Sequence, residues 1–283
     1  MPPGDDTVNE NLISGFPSGR LYHKWENLME ILGSMDSALV AFSGGVDSTL
    51  LLYTAHRVLG KRLVAVIASS ELYPKKEIQE ARQLTEKWGI DYKVMQSKEL
   101  EDERFVLNPS NRCYYCKHEL FRKLWSIARE KGCRQVLDGA NYDDLDDYRP
   151  GLQAGREWSV RSPLQEARLS KDDIREISRF YRLPTAEKPA MACLVSRIPY
   201  GIRLSPELLQ KVEKAESFLE NLCFTQYRVR HHGSVARIEI LEKEMLKMLQ
   251  EKERIVQCFR DLGYSYVTLD LQGFRSGSMN EVL

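Results

Sequence analysis

Ser43-Gly44-Gly45-Val46-Asp47-Ser48 packs two glycines, a carboxylate and two hydroxyls into six residues. An apolar run, Ala38-Leu39-Val40-Ala41-Phe42, precedes it, and Thr49 to Ala55 behind it reads as a helix. Strand, glycine turn, helix is a physical recipe for a phosphate site. The glycines let the backbone approach a ligand closely. The first turn of the helix points unpaired N–H groups at it, and the helix dipole favours an anion there. Ser43, Ser48 and Thr49 add hydroxyl donors. No lysine lies in the loop, so this is not the G-x-x-x-x-G-K-[ST] loop that grips the terminal phosphates of ATP. Asp47 sets a carboxylate beside a phosphate, which makes sense chiefly if Mg2+ bridges the two. The bland alternative is an ordinary tight strand-to-helix turn.

A second set of reactive side chains is thiol. Cys113-x-x-Cys116 has metal-pair spacing. One pair cannot complete a zinc site, which needs four ligands. Cys193, in an apolar segment rich in proline and glycine, is the third candidate. Three cysteines can bind three irons of a 4Fe–4S cluster and leave one iron open; buried, unligated thiols are the alternative. Cys133, Cys223 and Cys258 stand in helix-like or strand-edge contexts and read as small core residues. Four aspartates crowd residues 143–147, with Asn141 and Arg149 nearby as candidate contacts to nucleotide or substrate. A solvated acidic loop is the plain reading of that stretch.

These groups need elements to position them. Leu21, Trp25, Leu28, Met29 and Leu32 fall on one face of a helix over Leu21 to Gly33. Leu63 to Ala68 reads as a buried strand, Pro74 to Trp88 as a helix, and Tyr92 to Met95 as a third strand. This βαβαβ pattern predicts a parallel sheet with right-handed crossovers. Nucleotides bind at the carboxyl ends of such strands, which makes Ile67 to Ser70 an adenine wall. The C-Y-Y-C motif leads into a helix from about His118 to Lys131, and Gln135 to Leu137 is a further strand. Ser170 caps a helix that runs to Tyr181, with Asp172 and Asp173 in its first turn. Thr185 to Arg203 has no periodicity, and a long apolar loop is more often functional than a spacer. Beyond it come a helix over Ser205 to Leu222 with Pro206 at its first position, strands at Tyr227 to Val229 and Ala236 to Ile240 joined at His231-His232-Gly233, a long helix over Glu244 to Leu262, and a last strand over Tyr266 to Leu271. The expected class is α/β: a parallel-sheet nucleotide-binding domain over 18–185, a functional loop over 186–204 and a small α+β domain over 205–283.

The 283 residues suffice for one large domain or two modest ones. The formal net charge of zero gives no global pull toward nucleic acid, though a local basic patch stays open. No run approaches the roughly 18 apolar residues of a membrane span, and no basic-then-apolar leader opens the chain. Residues 1–17 read as a polar lead-in. The expectation is a cytoplasmic protein, where six cysteines favour metal or catalytic chemistry over disulfides.

The hexapeptide resembles the signature of the PP-loop ATP pyrophosphatases. With R-C-Y-Y-C-K, D-G-A-N-x-D-D-L-x-D-Y-R-P-G, S-P-L and A-C-L-x-S-R-I-P-Y-G added, residues of about 20 to 275 resemble the LarE family, ATP-dependent sulfur transferases of nickel-pincer cofactor biosynthesis. The resemblance implies adenylation of a carboxylate of a pyridinium biscarboxylic acid mononucleotide with release of pyrophosphate, then displacement of AMP by sulfur to give a thiocarboxylate. Ser43, Gly44, Gly45, Asp47 and Ser48 would hold ATP and its leaving pyrophosphate. The sulfur would come from sacrificed Cys193 or from a cluster-bound sulfide held by Cys113, Cys116 and Cys193; the three-cysteine pattern matches the second type. Ser196, Arg197, Arg228 and Arg230 match substrate-phosphate contacts, and Glu216 and Glu239 match acidic residues of a metal site between subunits of a homo-oligomer.

Chemistry supports either sulfur source, since carboxylate carbons are poor electrophiles, AMP is a good leaving group, and thiolates and sulfide are strong nucleophiles. Three other readings remain. A tRNA thiolase would want a strongly basic face or an added RNA-binding domain, and neither is visible. A glutamine- or ammonia-using synthetase would want a glutaminase domain and would leave the three placed cysteines without a purpose. A nucleotide sensor would bind ATP without turnover and would not need Asp47.

Overall fold

The computed structural model describes residues 16–145, 150–189 and 192–275. Asp146, Asp147, Tyr148 and Arg149 of the acidic motif, together with Ala190 and Met191, lie outside the described residues, and so do the expectations placed on them. In chain order the main elements are α1 (Gly19–Gly33), β1 (Ala38–Ala41), α2 (Val46–Leu59), β2 (Leu63–Ser69), α3 (Lys75–Trp88), β3 (Asp91–Gln96), α4 (Arg112–Glu130), β4 (Gln135–Leu137), α5 (Pro150–Glu157), α6 (Lys171–Phe180), α7 (Pro206–Asn221), β5 (Tyr227–His232), β6 (Val235–Ile240), α8 (Met245–Gln250), α9 (Lys252–Asp261) and β7 (Tyr266–Leu269). Single helical turns lie at Glu103–Val106 and Pro163–Glu166.

Two compact units result. The first takes residues within 1–69, 75–97 and 113–191, and the second those within 70–74, 98–112 and 192–283. The segments 70–74 and 98–112, which a colinear division would leave in the first domain, therefore group with the second. The dividing line passes between Arg112 and Cys113, inside the first turn of α4.

The first unit is an α/β fold around an all-parallel sheet in the order β3-β2-β1-β4. The inner strands β1 and β2 are apolar at nearly every position because both faces are covered, whereas the edge strand β3 carries Asp91, Lys93 and Gln96. Alternate residues serve opposite layers, as the two-residue period of a strand requires. Ala38, Val40, Leu63, Ala65 and Ile67 pack with Leu28, Leu32, Leu50 and Ile174 on one side. Leu39, Val64, Val66 and Val136 pack with Leu120, Phe121 and Leu124 of α4 and Ala154 of α5 on the other. Local chemistry sets the helix starts. Ser18 accepts from the N–H of Leu21 to cap α1, and Ser170 and Asp173 form a reciprocal capping box on α6.

The second unit has a three-stranded sheet, β5 antiparallel to β6 and β6 parallel to β7, with α7, α8 and α9 supplying Leu219, Met248, Ile255 and Phe259 to its core. Two expectations are corrected here. The strand β5 runs on to His232, which pairs with Val235, so the hairpin turn is Gly233-Ser234 with Gly233 at φ 63°. The long helix over Glu244 to Leu262 is two helices; the buried spacing of Met248, Ile255 and Phe259 runs across the break, so periodicity reads it as one. No described helix is long and apolar enough to cross a membrane.

Candidate functional site

In the first unit the glycine turn joins β1 to α2. Gly44 has φ 74°, a left-handed backbone, and a Cβ there would sit 3.2 Å from Cβ of Ala81 in α3. Gly45 is the N-cap of α2 and offers no side-chain cap, so the first N–H groups of the helix are left to a ligand. Ser43 Oγ and Ser48 Oγ lie 3.0 Å apart, and Ser48 also donates to the Gly45 carbonyl at 3.2 Å. Gly139, just past β4, meets the other side of this turn. A Cβ on it would lie 3.0 Å from Ser48 N and 3.1 Å from Ser48 Cα, so only glycine lets the D-G-A-N loop approach the helix start this closely.

Asp47 stands in the first turn of α2. Its Oδ2 is paired with Nζ of Lys171, while its Oδ1 is buried with no hydrogen-bond partner among the described residues. Lys171 is the first residue of α6, and its backbone N–H donates to Asp143 at 2.8 Å. It supplies the cation that the loop itself lacks, from 124 residues away. The one sequence signal for it is a misfit: Lys171 begins a helix whose dipole disfavours a cation at that end.

The acidic motif partly serves its own backbone. Asn141 N donates to Asp144 Oδ2 at 2.9 Å, Asp143 N donates to Asn141 Oδ1 at 3.0 Å, and Ser162 donates to Asp138 at 2.7 Å. Asn141 is buried, with its side-chain oxygen used this way. Ile67 is buried in the core of the first unit, so what it offers an adenine is main chain.

Cys113 and Cys116 lie in the first turn of α4, not in a loop before it, because the helix begins at Arg112. Polar first turns carry no apolar periodicity, which hid this start. At i and i+3 the two thiols share a helix side. Helix α5, which sequence reading missed, packs close by through Gly151 and Gly155: a Cβ on Gly151 would be 3.0 Å from Lys117 Cγ and 3.6 Å from the Cys113 carbonyl. No disulfide joins the six cysteines, of which Cys113 is exposed and Cys116 and Cys193 are half-buried. Cys133 is buried, but Cys223 is exposed and Cys258 only partly covered, so the core assignment fails for Cys223. Cys223 ends α7 with φ 59°, a helix-terminating position rather than a packed one.

The second unit gathers residues from widely separated positions into a buried arginine–carboxylate cluster. Arg197, wholly buried, is held by Glu216 through Nε and Nη2, both at 2.9 Å. Its Nη1 donates to the carbonyls of Ala192 and Cys193 and to Ser196 Oγ, at 2.6, 3.1 and 2.9 Å. Glu216 also accepts from Val229 N at 3.0 Å. Arg230 donates to the Ser196 carbonyl and to Glu239, both at 2.8 Å; Arg237 bridges Glu239 and Asp270. Glu216 and Glu239, expected at a metal, are thus engaged by guanidiniums. No cluster of three potential metal-ligating His, Cys, Asp or Glu side chains occurs among the described residues.

Arg228 differs from its neighbours. It is buried, donates to the Tyr227 carbonyl at 2.6 Å and lies over the Phe274 ring. Burial, with the nearby Arg197 charge, pulls its pKa down to about 10. Burial likewise pushes the Tyr227 hydroxyl well above its usual range.

A family model described as NAD synthase matches residues 26–106. An uncharacterised protein of Synechocystis is 43% identical over 265 residues, covering 93% of this chain and 99% of its own length. The pyridinium-3,5-bisthiocarboxylic acid mononucleotide synthase of Lactiplantibacillus plantarum is 40% identical over 261 residues, covering 92% of this chain and 95% of its own. The glutamine-hydrolysing GMP synthase of Thermotoga petrophila is 25% identical over 218 residues, 70% of this chain and 42% of its own.

Proposed function

The chain belongs to the LarE family of ATP-dependent sulfur transferases, and from that premise we propose that it adenylates a carboxylate of pyridinium-3,5-biscarboxylic acid mononucleotide and converts it to a thiocarboxylate. The observation that carries the ATP half is the turn of Gly44 and Gly45 with Asp47 and Lys171 beside it in one unit. The uncapped first N–H groups of α2 suit a close phosphate, and the orphaned Oδ1 of Asp47 suits Mg2+. Asp47 would hold Mg2+, which when bound would neutralise charge on the leaving group.

The acceptor carboxylate oxygen attacks the α-phosphorus of ATP, and the bond to the β-phosphate oxygen breaks. Lys171, drawn from Asp47 to the developing pyrophosphate, offsets its charge, while Ser43, Ser48 and the first N–H groups of α2 hold its oxygens. The carboxylate is now an acyl adenylate. Sulfur attacks its carbonyl carbon, the C–O bond to AMP breaks, and AMP leaves with that electron pair. In the second unit, Arg197 and Arg230 hold the Cys193–Ser196 turn through its carbonyls. Arg228, a buried cation on β5, is the proposed contact to the substrate phosphate, as the resemblance implies.

The sulfur source is proposed as a 4Fe–4S cluster with Cys113, Cys116 and Cys193 as ligands; thiolate is the donor type such a cluster takes, and Cys113 and Cys116 stand at i, i+3 on α4. Such a cluster would supply a replaceable sulfide. We further propose a cytoplasmic homo-oligomer with no nucleic-acid or membrane partner.

Pyrophosphate release should depend on the pyridinium acid; turnover of ATP indifferent to that acid would sink the reading. Filter binding to tRNA at two salt concentrations tests the thiolase alternative, because backbone binding weakens steeply with salt. Anaerobic iron and sulfide analysis should show loss in Cys113→Ala, Cys116→Ala and Cys193→Ala alike. A mass loss of one sulfur at Cys193 after turnover, with no iron bound, would instead mark Cys193 as the donor.

A further inference from the structure

One buried arrangement in the second unit has no part in the chemistry above. It joins the stretch between Glu103 and Arg112 to the loop that carries Cys193. Asn108 is fully buried and has φ 55°, a left-handed backbone that side chains rarely adopt. All of its polar atoms are engaged. Its N–H donates to the Phe105 carbonyl at 2.9 Å, and its own carbonyl accepts from Gly201 N at 2.9 Å. Its Nδ2 donates to the Pro199 carbonyl at 2.8 Å, and its Oδ1 accepts from Arg112 Nη1 at 2.6 Å.

Arg112 completes the arrangement. It is 5% exposed, its guanidinium lies 4.2 Å from the centre of the Tyr200 ring, and its Nε is buried with no acceptor among the described residues. No carboxylate pairs with it among those residues. A buried cation held by an amide oxygen and a ring face alone is costly. The left-handed angle of Asn108 is one that asparagine tolerates better than most side chains, so the cost lies with Arg112. Such features persist where the surroundings over-determine them, and an observed outlier of this kind argues for a role.

The place in the chain says what the role is. Arg112 is the first residue of α4, and the next residue is Cys113. Tyr200 lies seven positions beyond Cys193 in the same loop, which the Leu194 N–H anchors to the Leu72 carbonyl at 2.9 Å. The second unit therefore fixes the Cys193 loop against the residue at which the cysteine helix begins. We propose that Asn108 and Arg112 are positioning residues for sulfur transfer, holding the Cys193 loop in register through Pro199, Tyr200 and Gly201. The proposal rests on the sulfur-transfer reading above. It separates the two halves of the reaction: the clamp touches none of Ser43 to Ser48 or Lys171, so adenylation should survive its loss while attack by sulfur should not.

The test measures pyrophosphate and thiocarboxylate in the same anaerobic reaction with the pyridinium acid. Arg112→Lys keeps the charge but loses the planar stack. Asn108→Gly accepts the backbone angle but removes both side-chain bonds. Tyr200→Leu removes the stack and leaves Asn108 intact, and serves if either of the others fails to fold. Each should release pyrophosphate within about two-fold of the unsubstituted protein, while thiocarboxylate per pyrophosphate falls by about 10- to 100-fold, the scale of a misplaced reacting group. Sodium sulfide added in excess should restore thiocarboxylate, since a freely diffusing nucleophile needs no register; a general folding defect would show no such rescue. A parallel fall in both products, or no fall in either, overturns the clamp alone. Failure of the unsubstituted protein to release pyrophosphate with the acid overturns the sulfur-transfer reading and the clamp with it.

Discussion

The Ser43–Ser48 turn of the first unit is proposed to meet phosphate and the Arg197–Glu216–Arg230–Glu239 cluster of the second to hold the Cys193–Ser196 turn, and the two are built oppositely. The turn offers backbone N–H groups and hydroxyls, and its nearest full charges, Asp47 and Lys171, retain partial exposure. The cluster is made of arginines and glutamates buried almost completely and bonded to each other. In the turn, the groups that would touch a ligand are the groups the fold can spare. In the cluster, cation and carboxylate have become each other's solvent. Removing a residue from the turn should cost chemistry, and removing one from the cluster should cost the fold.

The largest effect tests that contrast on the cluster side. Glu216→Ala leaves Arg197 buried without its carboxylate, and frees Val229 N as well. Breaking a buried pair from one side costs about 3–5 kcal/mol, so denaturant unfolding should show the second unit destabilised by that order. ATP binding, a property of the first unit, should persist in the same protein. A loss below about 1 kcal/mol would mean that Arg197 has water access, and the contrast would collapse.

On the turn side, Lys171→Ala should lower pyrophosphate release by about 10²–10³-fold, the usual cost of deleting one preorganised charge stabiliser. Because the pair with Asp47 is partly exposed, it holds little stability, about 0–1 kcal/mol. The thermal midpoint should therefore barely move. Lost activity that tracks a lost fold would contradict the division of labour. Gly139→Ala sharpens the same point at smaller scale. Its new Cβ would press on Ser48 backbone atoms at 3.0 and 3.1 Å, so the turn or its neighbour must shift. Overpacking of this kind costs about 1–3 kcal/mol. Here it should appear as weaker ATP binding by titration as well as lower stability, whereas a change in stability alone would place the strain away from the ligand.

How far each region could be read from sequence follows the same line. The turn is contiguous, its strand and helix announce themselves by composition, and the unbroken apolar run of Leu63 to Ala68 foretold a sheet covered on both faces. Lys171 escaped because a through-space partner 124 residues away leaves no local pattern beyond a cation at a helix start. The thiols of Cys113 and Cys116 were found by spacing, but their place inside α4 was not, since a polar first turn has no period. Arg197, Arg228 and Arg230 were singled out by resemblance to a motif. That Glu216 and Glu239 pair with arginines depends on a fold that brings α7, β5 and β6 together. Burial of charge is a property of that packing, and no residue type encodes it.

The smallest effect concerns acid. His231 is buried beside Tyr264, with its Nδ1 3.4 Å from the hydroxyl, and burial first, then the Lys211 charge and His232, lower its pKa. His232 is lowered in the same direction, by burial and by Arg237 and Arg230. A base whose folded pKa is depressed takes its proton first in the unfolded chain, near pH 6.5. The unfolded state then binds more protons, so stability falls as pH drops below about 6.5 toward the folded value, and is unaffected above it. His56 in the first unit is lowered too, by burial, so acid alone does not tell the units apart. The discriminating measurement is the difference in thermal midpoint between pH 7.5 and 5.5, taken on the unsubstituted protein and on the double variant His231→Phe, His232→Gln. That difference should shrink in the variant if the second unit carries the acid sensitivity. If it stays the same, the sensitivity lies with His56 behind the glycine turn, and the region that looked chemically spare would be the one whose stability depends on pH.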